Sequence, residues 1–297
     1  RFKSPYNHGN QRVDPALHLD HSYHSSRVDS SLSLDGFLST GVTGSTMKNL
    51  VKRKLKAGKP ALGTWVTVGH PDMTMYLADM GWDWLVCDME HSAFGPETYH
   101  FMVQSMLWGR DKCMPMCRIP WHDLVWIKKV MDAGATGIVS PRIETKEQAE
   151  DMVRLMKYPP WGERGAGPRL AAFRDPDYFA SANDETLCVV MIETAKGVEN
   201  IDEIFSVEGV DACFVGPSDL SLDMGIHRDY TNPVFLKTLD RIVEAGKDAG
   251  VAPGMHCFTT PGPTNINEAI DRGFLFCAVH SDTAYLRNGV NAAHAHI

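Results

Sequence analysis

The chain has no excess of positive charge. Its 297 residues carry 29 Lys and Arg against 37 Asp and Glu, a formal net charge of -8, with an isoelectric point near 5.9. Nucleic-acid recognition needs a basic stripe or patch, so this balance argues against a nucleic-acid partner. Long apolar runs are also missing. None approaches the roughly 20 residues of a membrane span, and no apolar core follows a basic start as in a secretory leader. No G-x-G-x-x-G follows the first strand pattern, which argues against a dinucleotide-binding fingerprint. Cysteine is scattered: Cys87, Cys113, Cys117, Cys188, Cys213, Cys257 and Cys277 lie mostly in apolar runs, where a thiol behaves as a small hydrophobe. Only Cys113 and Cys117 are close, and C-x3-C without a second Cys/His pair is a weak zinc signal. An odd count with no disulfide framework fits a reducing compartment, so a cytoplasmic location is expected.

What is present is a repeated pattern. Residues 1–45 are rich in Ser, His, Asp and Gly with few periodic apolar positions, so they are expected to form a flexible or docking extension. His18, His21 and His24 are read there as solvated side chains. From residue 46 the texture changes, and "TMKNLVKRKLKAG" places Leu50, Val51 and Leu55 at helical spacing before Gly58. Eight short apolar runs follow, over 61–68, 82–90, 113–120, 136–143, 187–193, 211–219, 251–257 and 275–282, separated by amphipathic segments such as "DLVWIKKVMDAG". Eight βα units in about 240 residues predict an α/β fold, a (β/α)8 TIM barrel over 46–297 preceded by the extension. "GERGAGP" (162–168) follows a helix and Pro159-Pro160, so it reads as an active-site or interface loop rather than a nucleotide fingerprint.

Barrel enzymes build their sites at the carboxyl ends of the strands. In this sequence those ends carry Asp88, Glu90 and His91, then Arg118, Arg142, Glu193, Asp219, His256, and finally His280 and Asp282. Any one of these can simply mark the return of the chain to water. Closure, however, puts all of them on one rim, where like charges repel unless a cation or an arginine meets them. Glu193 and Asp219 end adjacent strands and offer only oxygen, which suits a hard or borderline divalent cation such as Mg2+ or Mn2+. In "DMEH", Asp88 and Glu90 share a strand face and His91 falls at the turn, a pattern that serves either a general base or a structural Asp-His bond. Arg118 can neutralise Glu90 or stabilise an oxyanion.

The segments "DWLVCDMEH", "CRIPWHDLVWIKKVMDAGATGIVSPRIETKEQAE", "YPPWGERGAGP", "VMIET" and "FVGPSDLSLDMG" together resemble the metal-dependent 2-oxo acid aldolase family. This is the class II group acting on 4-hydroxy-2-oxoheptanedioate and 2-dehydro-3-deoxygalactarate, and it includes macrophomate synthase. The likeness runs from about Met47 to the carboxyl end. It implies a carbon-carbon lyase on a homohexameric barrel, with Mg2+ (alternatively Mn2+ or Co2+) as cofactor and pyruvate or oxaloacetate as substrate. It further implies metal ligands at Glu193 and Asp219, a catalytic set of Asp88, His91 and Arg118, and an aromatic pocket residue at Trp65. The substrate carboxylate is then held at the Gly216-Pro217-Ser218-Asp219 turn by backbone N–H groups. In this chain Arg142, His256 and His280 stand where many family members carry apolar residues or Gly, and Met191 stands where they carry Gln. Arg142 and His256 are therefore expected to contact an acceptor unlike the usual aldehyde. A 2-pyrone, as in the macrophomate synthase branch, is one such acceptor; the alternatives are a plain 4-hydroxy-2-oxo acid aldolase and a non-catalytic 2-oxo acid binding barrel.

Overall fold

A computed structural model of the chain describes residues 49–106, 112–175 and 177–297. The expected extension over 1–45 and the start of the barrel at residue 46 lie outside these residues. Helix α1 (Leu50–Lys56), capped by the Asn49 side chain on the Lys52 N–H, leads into β1 (Ala61–Val66), α2 (Pro71–Asp79), β2 (Trp84–Asp88) and α3 (Pro96–Met106). There follow β3 (Met114–Arg118), α4 (Leu124–Asp132), β4 (Gly137–Ser140), α5 (Lys146–Met156), α6 (Arg169–Arg174), α7 (Tyr178–Glu185) and β5 (Leu187–Met191). The chain continues through α8 (Ala195–Glu199), α9 (Ile201–Phe205), β6 (Ala212–Phe214), α10 (Pro217–Asp223) and α11 (Pro233–Ala249). It ends with β7 (Gly254–Cys257), α12 (Ile266–Arg272), β8 (Phe276–Ser281) and α13 (Asp282–His294).

All eight strands are parallel neighbours, in the order β6-β5-β4-β3-β2-β1-β8-β7. Single bridges from Ala212 to Ala252 and from Val215 to Met255 span the remaining seam between β6 and β7. The predicted (β/α)8 barrel is therefore the observed fold, and each of the eight predicted runs contains one strand.

Side-chain parity determines what faces the interior, because successive residues of a strand point to opposite sides. On β2, Leu85 and Cys87 pack outward with Tyr99, Ile127 and Val130 of the surrounding helices, whereas Trp84 and Val86 point inward. The inward column includes Met114, Met116, Leu187, Val189, Phe214 and Phe276, with Val51 and Leu55 of α1 plugging the amino-terminal mouth. This is the filled interior expected of such a barrel. Trp84 stacks on Phe276 with ring centroids 4.3 Å apart. Its place requires Gly63 opposite it on β1, since a Cβ there would come within 2.1 Å of the indole.

All seven cysteines are buried and unpaired, and Cys113 and Cys117 lie in the outer hydrophobic layer. Among the described residues no helix is long and apolar enough to cross a membrane.

Candidate active site

The same parity that fills the barrel with apolar residues places polar ones at its carboxyl end. Continuing inward from Val86, Met116, Val189 and Phe214, the next inward positions are Asp88, Arg118, Met191 and Gly216, with Trp65 and His256 on β1 and β7. They surround a cavity of about 250 Å3 whose lining includes Trp65, His91, Arg118, Phe214, Ser218 and Asp219. A larger cavity, about 640 Å3, lies at the opposite end between α1, α11 and α12 and contains none of the predicted site residues.

Glu193, just beyond β5, is 5 % exposed. Its Oε1 accepts the Arg142 backbone N–H at 2.8 Å. Arg142 reaches that position with a φ of 50°, in the left-handed region a non-glycine residue seldom adopts. Burial pushes the Glu193 carboxyl up to about 7; the Arg142 hydrogen bond opposes this, and the nearby charges of Glu90 and Asp219 add to it. Asp219 stands in the first turn of α10, exposed towards the cavity. The two carboxylates border one small space: a Cβ on Gly216 would lie 3.2 Å from Glu193 Oε2 and 3.3 Å from Asp219 Oδ2. Two mutually repelling oxygen donors around a space that glycine keeps open fit a hard divalent cation. The described residues contain no group of three or more His, Cys, Asp and Glu arranged to hold a metal, so water and substrate oxygens would have to complete the coordination.

Across the cavity, Arg118 is buried, and its guanidinium meets Asp88 bidentately, with Nε to Oδ1 at 2.9 Å and a terminal N to Oδ2 at 2.7 Å. The other terminal nitrogen lies 3.1 Å from Glu90 Oε2. The guanidinium also sits 4.5 Å above the Trp65 ring, within cation–π range. Burial works against the charge of Arg118, but the Asp88 hydrogen bonds together with the negative charges of Asp88, Glu90 and Glu193 outweigh it and raise its pKa. Burial raises the Glu90 carboxyl despite the opposing charge of Arg118. The expected pairing of Asp88 with the His91 ring is not what the structure shows. Asp88 is committed to Arg118 and to the N–H groups of Glu90 and His91, while the His91 ring lies 3.7 Å from Glu90.

The α10 turn supplies backbone donors. Gly216 gives no side-chain cap, so the first N–H groups of α10, at Ser218 and Asp219, have no partner within the helix. The Ser218 hydroxyl bonds Tyr230 OH at 3.1 Å, which leaves its backbone N–H as the group available to a substrate. His256 stacks on Trp65 at 6.3 Å with a 17° interplanar angle. Burial, aided by His280 and Arg118, lowers it to about 4, so it is a neutral ring at pH 7.

Several predicted rim residues are placed elsewhere. The Arg142 guanidinium turns outward to Glu144 at 3.4 Å, and only its backbone N–H serves the site. His280, with a φ of 52°, bonds Thr259 behind Phe258. Asp282 is structural: its carboxylate accepts the Thr67 and Val68 N–H groups at 2.9 and 2.7 Å, tying the start of α13 to the end of β1. The 162–168 loop lines no part of the cavity. Its buried Arg164 bonds Tyr178 at 2.8 Å and Asp132 at 3.2 Å, the latter at the end of α4, on the amino-terminal side of the barrel. That corrects the active-site half of its expected role. Conversely, Phe214 and Phe258 line the cavity without having been singled out; each lies two residues from a predicted site position, a spacing that parity could have flagged.

Comparison with known proteins places the chain in a family. Residues 61–289 match the family model described as HpcH/HpaI aldolase/citrate lyase. A 4-hydroxy-2-oxo-heptane-1,7-dioate aldolase of Shigella sonnei is 34% identical over 250 residues, 83% of this chain and 94% of that protein. The crystal structure of a HpcH/HpaI aldolase/citrate lyase family protein from Burkholderia cenocepacia superposes with a TM-score of 0.78 at 30% identity, covering 84% of this chain and 98% of that one. Macrophomate synthase shares the fold, with a TM-score of 0.74 at 24% identity over 84% of this chain and 88% of its own. With matches of this extent on a barrel whose polar residues converge at one end, the chain belongs to the HpcH/HpaI aldolase/citrate lyase family and is a carbon-carbon lyase.

Proposed function

We propose that the chain generates the enolate of pyruvate, by decarboxylating oxaloacetate or by retro-aldol cleavage of a 4-hydroxy-2-oxo acid, with a divalent cation held by Glu193 and Asp219. The observation that carries this reading is the space at Gly216, bordered by both carboxylates and faced across the cavity by Arg118. Mg2+ is the expected ion, with Mn2+ and Co2+ as alternatives of similar chemistry. The bound ion supplies positive charge where the substrate's keto oxygen becomes negative. Arg118, held still by Asp88, presents a second fixed charge to that oxygen. The Ser218 and Asp219 N–H groups receive the substrate carboxylate, and His91 carries the proton that leaves or joins carbon. Trp65, Phe214 and His256 provide the apolar and aromatic walls that strengthen these electrostatic contacts by excluding water.

The 34% identity to aldolases of 4-hydroxy-2-oxoheptanedioate favours an aldehyde as the usual acceptor. A planar 2-pyrone is a second reading, supported by the neutral His256 ring stacked on Trp65 with Phe258 beyond it at 5.0 Å. Screening aldehydes and 2-pyrones against oxaloacetate separates the two. The proposed assembly is a homohexamer, which light scattering measures directly.

Two measurements test the core of this reading. Purified protein with Mg2+ should release pyruvate from oxaloacetate faster than Mg2+ alone, lose that activity in EDTA, and regain it with added Mg2+, Mn2+ or Co2+. A rate no higher than that of the free metal would contradict the assignment. Gly216→Ala should fold normally, because Gly216 has a φ of -89° that alanine adopts freely. Its methyl group would intrude on the space between the carboxylates, so metal affinity and decarboxylation should both fall by about tenfold or more, the range seen when a metal site's supporting contacts are disturbed. Unchanged metal binding in this variant would show that the ion sits elsewhere.

A further inference from the structure

We propose that Glu90, and not Asp88, is the carboxylate that positions the His91 imidazole for proton transfer. The inference rests on the reading of His91 as the proton carrier in pyruvate enolate chemistry. It starts from how fully each carboxylate is already used.

A carboxylate offers about four acceptor sites. On Asp88, four donors are already met. Oδ1 receives Arg118 Nε at 2.9 Å and the N–H groups of Glu90 and His91 at 3.1 and 3.4 Å, and Oδ2 receives a terminal nitrogen of Arg118 at 2.7 Å. Asp88 is also 3% exposed, at the base of the cluster. It meets His91 through the backbone N–H, and the ring of His91 faces Glu90 instead.

Glu90 is placed differently. Its Oε2 is buried yet accepts no well-formed hydrogen bond. It lies between two nitrogens, 3.1 Å from the Arg118 guanidinium and 3.7 Å from His91 Nε2. A buried acceptor left open is costly, and the imidazole is the neighbouring donor free to move, since its side chain is 64% exposed whereas that of Arg118 is 10% exposed. At 3.7 Å the contact exceeds a hydrogen bond, but catalytic hydrogen bonds commonly tighten only when substrate is bound. Once closed, a carboxylate on Nε2 holds the hydrogen there and leaves Nδ1 with its lone pair. A methyl proton of pyruvate then passes to Nδ1 while the C–H electron pair becomes the C=C bond of the enolate and the carbonyl pair moves onto oxygen. The same charge touches Arg118, so Glu90 couples the group that moves the proton to the group that stabilises the oxygen.

The test separates a positioning role from a purely structural one. Nitrogen-15 NMR of the His91 ring in the full chain with Mg2+ and oxalate, a stand-in for the enolate with no methyl proton to lose, reports its tautomer without turnover. The wild type should favour the Nε2–H form, Glu90→Gln should lose that preference, and Asp88→Asn should keep it. In turnover, Glu90→Gln should slow exchange of the pyruvate methyl protons with D2O about tenfold more than it slows oxaloacetate decarboxylation, which needs no base, within the span attributed to acid–base groups. Glu90→Asp, which keeps the charge but withdraws it, should fall between. If Glu90→Gln leaves the tautomer unchanged, or if Asp88→Asn abolishes the preference while Glu90→Gln does not, the proposal is overturned. Equal losses in exchange and decarboxylation would reduce Glu90 to a partner of Arg118 and would likewise overturn it. A wild-type protein with the expected tautomer but no exchange and no decarboxylation would instead defeat the enolate reading and leave the pairing intact.

Discussion

Glu193→Gln is expected to abolish metal-dependent turnover while making the metal-free protein more stable at neutral pH. The two effects have one cause. The Glu193 carboxyl is pushed up to about 7, chiefly by burial, whereas an unfolded glutamate ionises near 4.3. Between those values the folded chain holds a proton that the unfolded chain has released. The metal-free fold therefore loses stability as pH rises from about 4.5 to about 7, and above that the full penalty remains. Its upper bound is on the order of 3–4 kcal/mol. Gln carries no charge and still offers an oxygen to the Arg142 N–H, so the variant escapes the penalty. In EDTA at pH 8 it should melt roughly 5–10 °C above the wild type, and the gap should close towards pH 4.5. Added Mg2+ should reverse the order, stabilising the wild type and leaving the variant unchanged. Loss of one of two anionic ligands should cost more than about a hundredfold in metal affinity, beyond the tenfold to hundredfold that supporting contacts alone are worth. Wild-type Mg2+ affinity in the variant, or a melting gap independent of pH, would remove Glu193 from the metal site.

Asp88→Asn should damage stability and activity together. Arg118 is buried, and the bidentate contact from Asp88 is its strongest compensation. Breaking one partner of a buried ion pair costs about 3–5 kcal/mol, because the remaining charge is stranded. Glu90, 3.1 Å from the other terminal nitrogen, keeps part of that compensation, so a loss of about 3 kcal/mol is expected in denaturant unfolding. A guanidinium no longer held in place also stabilises the developing oxyanion less well, and decarboxylation should fall by about two orders of magnitude, as when a single oxyanion donor is removed. Because both reactions depend on that oxygen, exchange and decarboxylation should fall by similar factors. A variant that melts like the wild type yet is inactive would mean that Asp88 acts on substrate directly.

Much of the site was legible from strand periodicity. Asp88, Arg118, Glu193, Asp219 and His256 stand at strand ends on the sequence pattern, Trp65 is implied by the family resemblance, and each borders the cavity or the adjoining space at Gly216. Arg142 and His280 were not legible in the same way. Both adopt left-handed backbone conformations that turn their side chains away from where simple alternation would send them. Asp282 looked like one more rim carboxylate, but two backbone N–H groups and the Thr67 hydroxyl at 2.6 Å consume it. Asp88 is read from the sequence as the partner of His91, with Arg118 offered to Glu90 or an oxyanion, but the register of β2 against β3 sets Asp88 beside Arg118.

The sequence by itself determined the eightfold βα repeat, the inward and outward faces of each strand, and the supply of carboxylates at one end. These follow from local periodicity, which needs no knowledge of distant contacts. Only the tertiary structure decided that Arg118 takes Asp88, that Glu90 is left facing His91, and that Glu193 and Asp219 share the space beside Gly216. Such pairings depend on strand register, on the exact turn of each strand end and on which donor arrives first in a crowded volume, and these are set when the barrel closes.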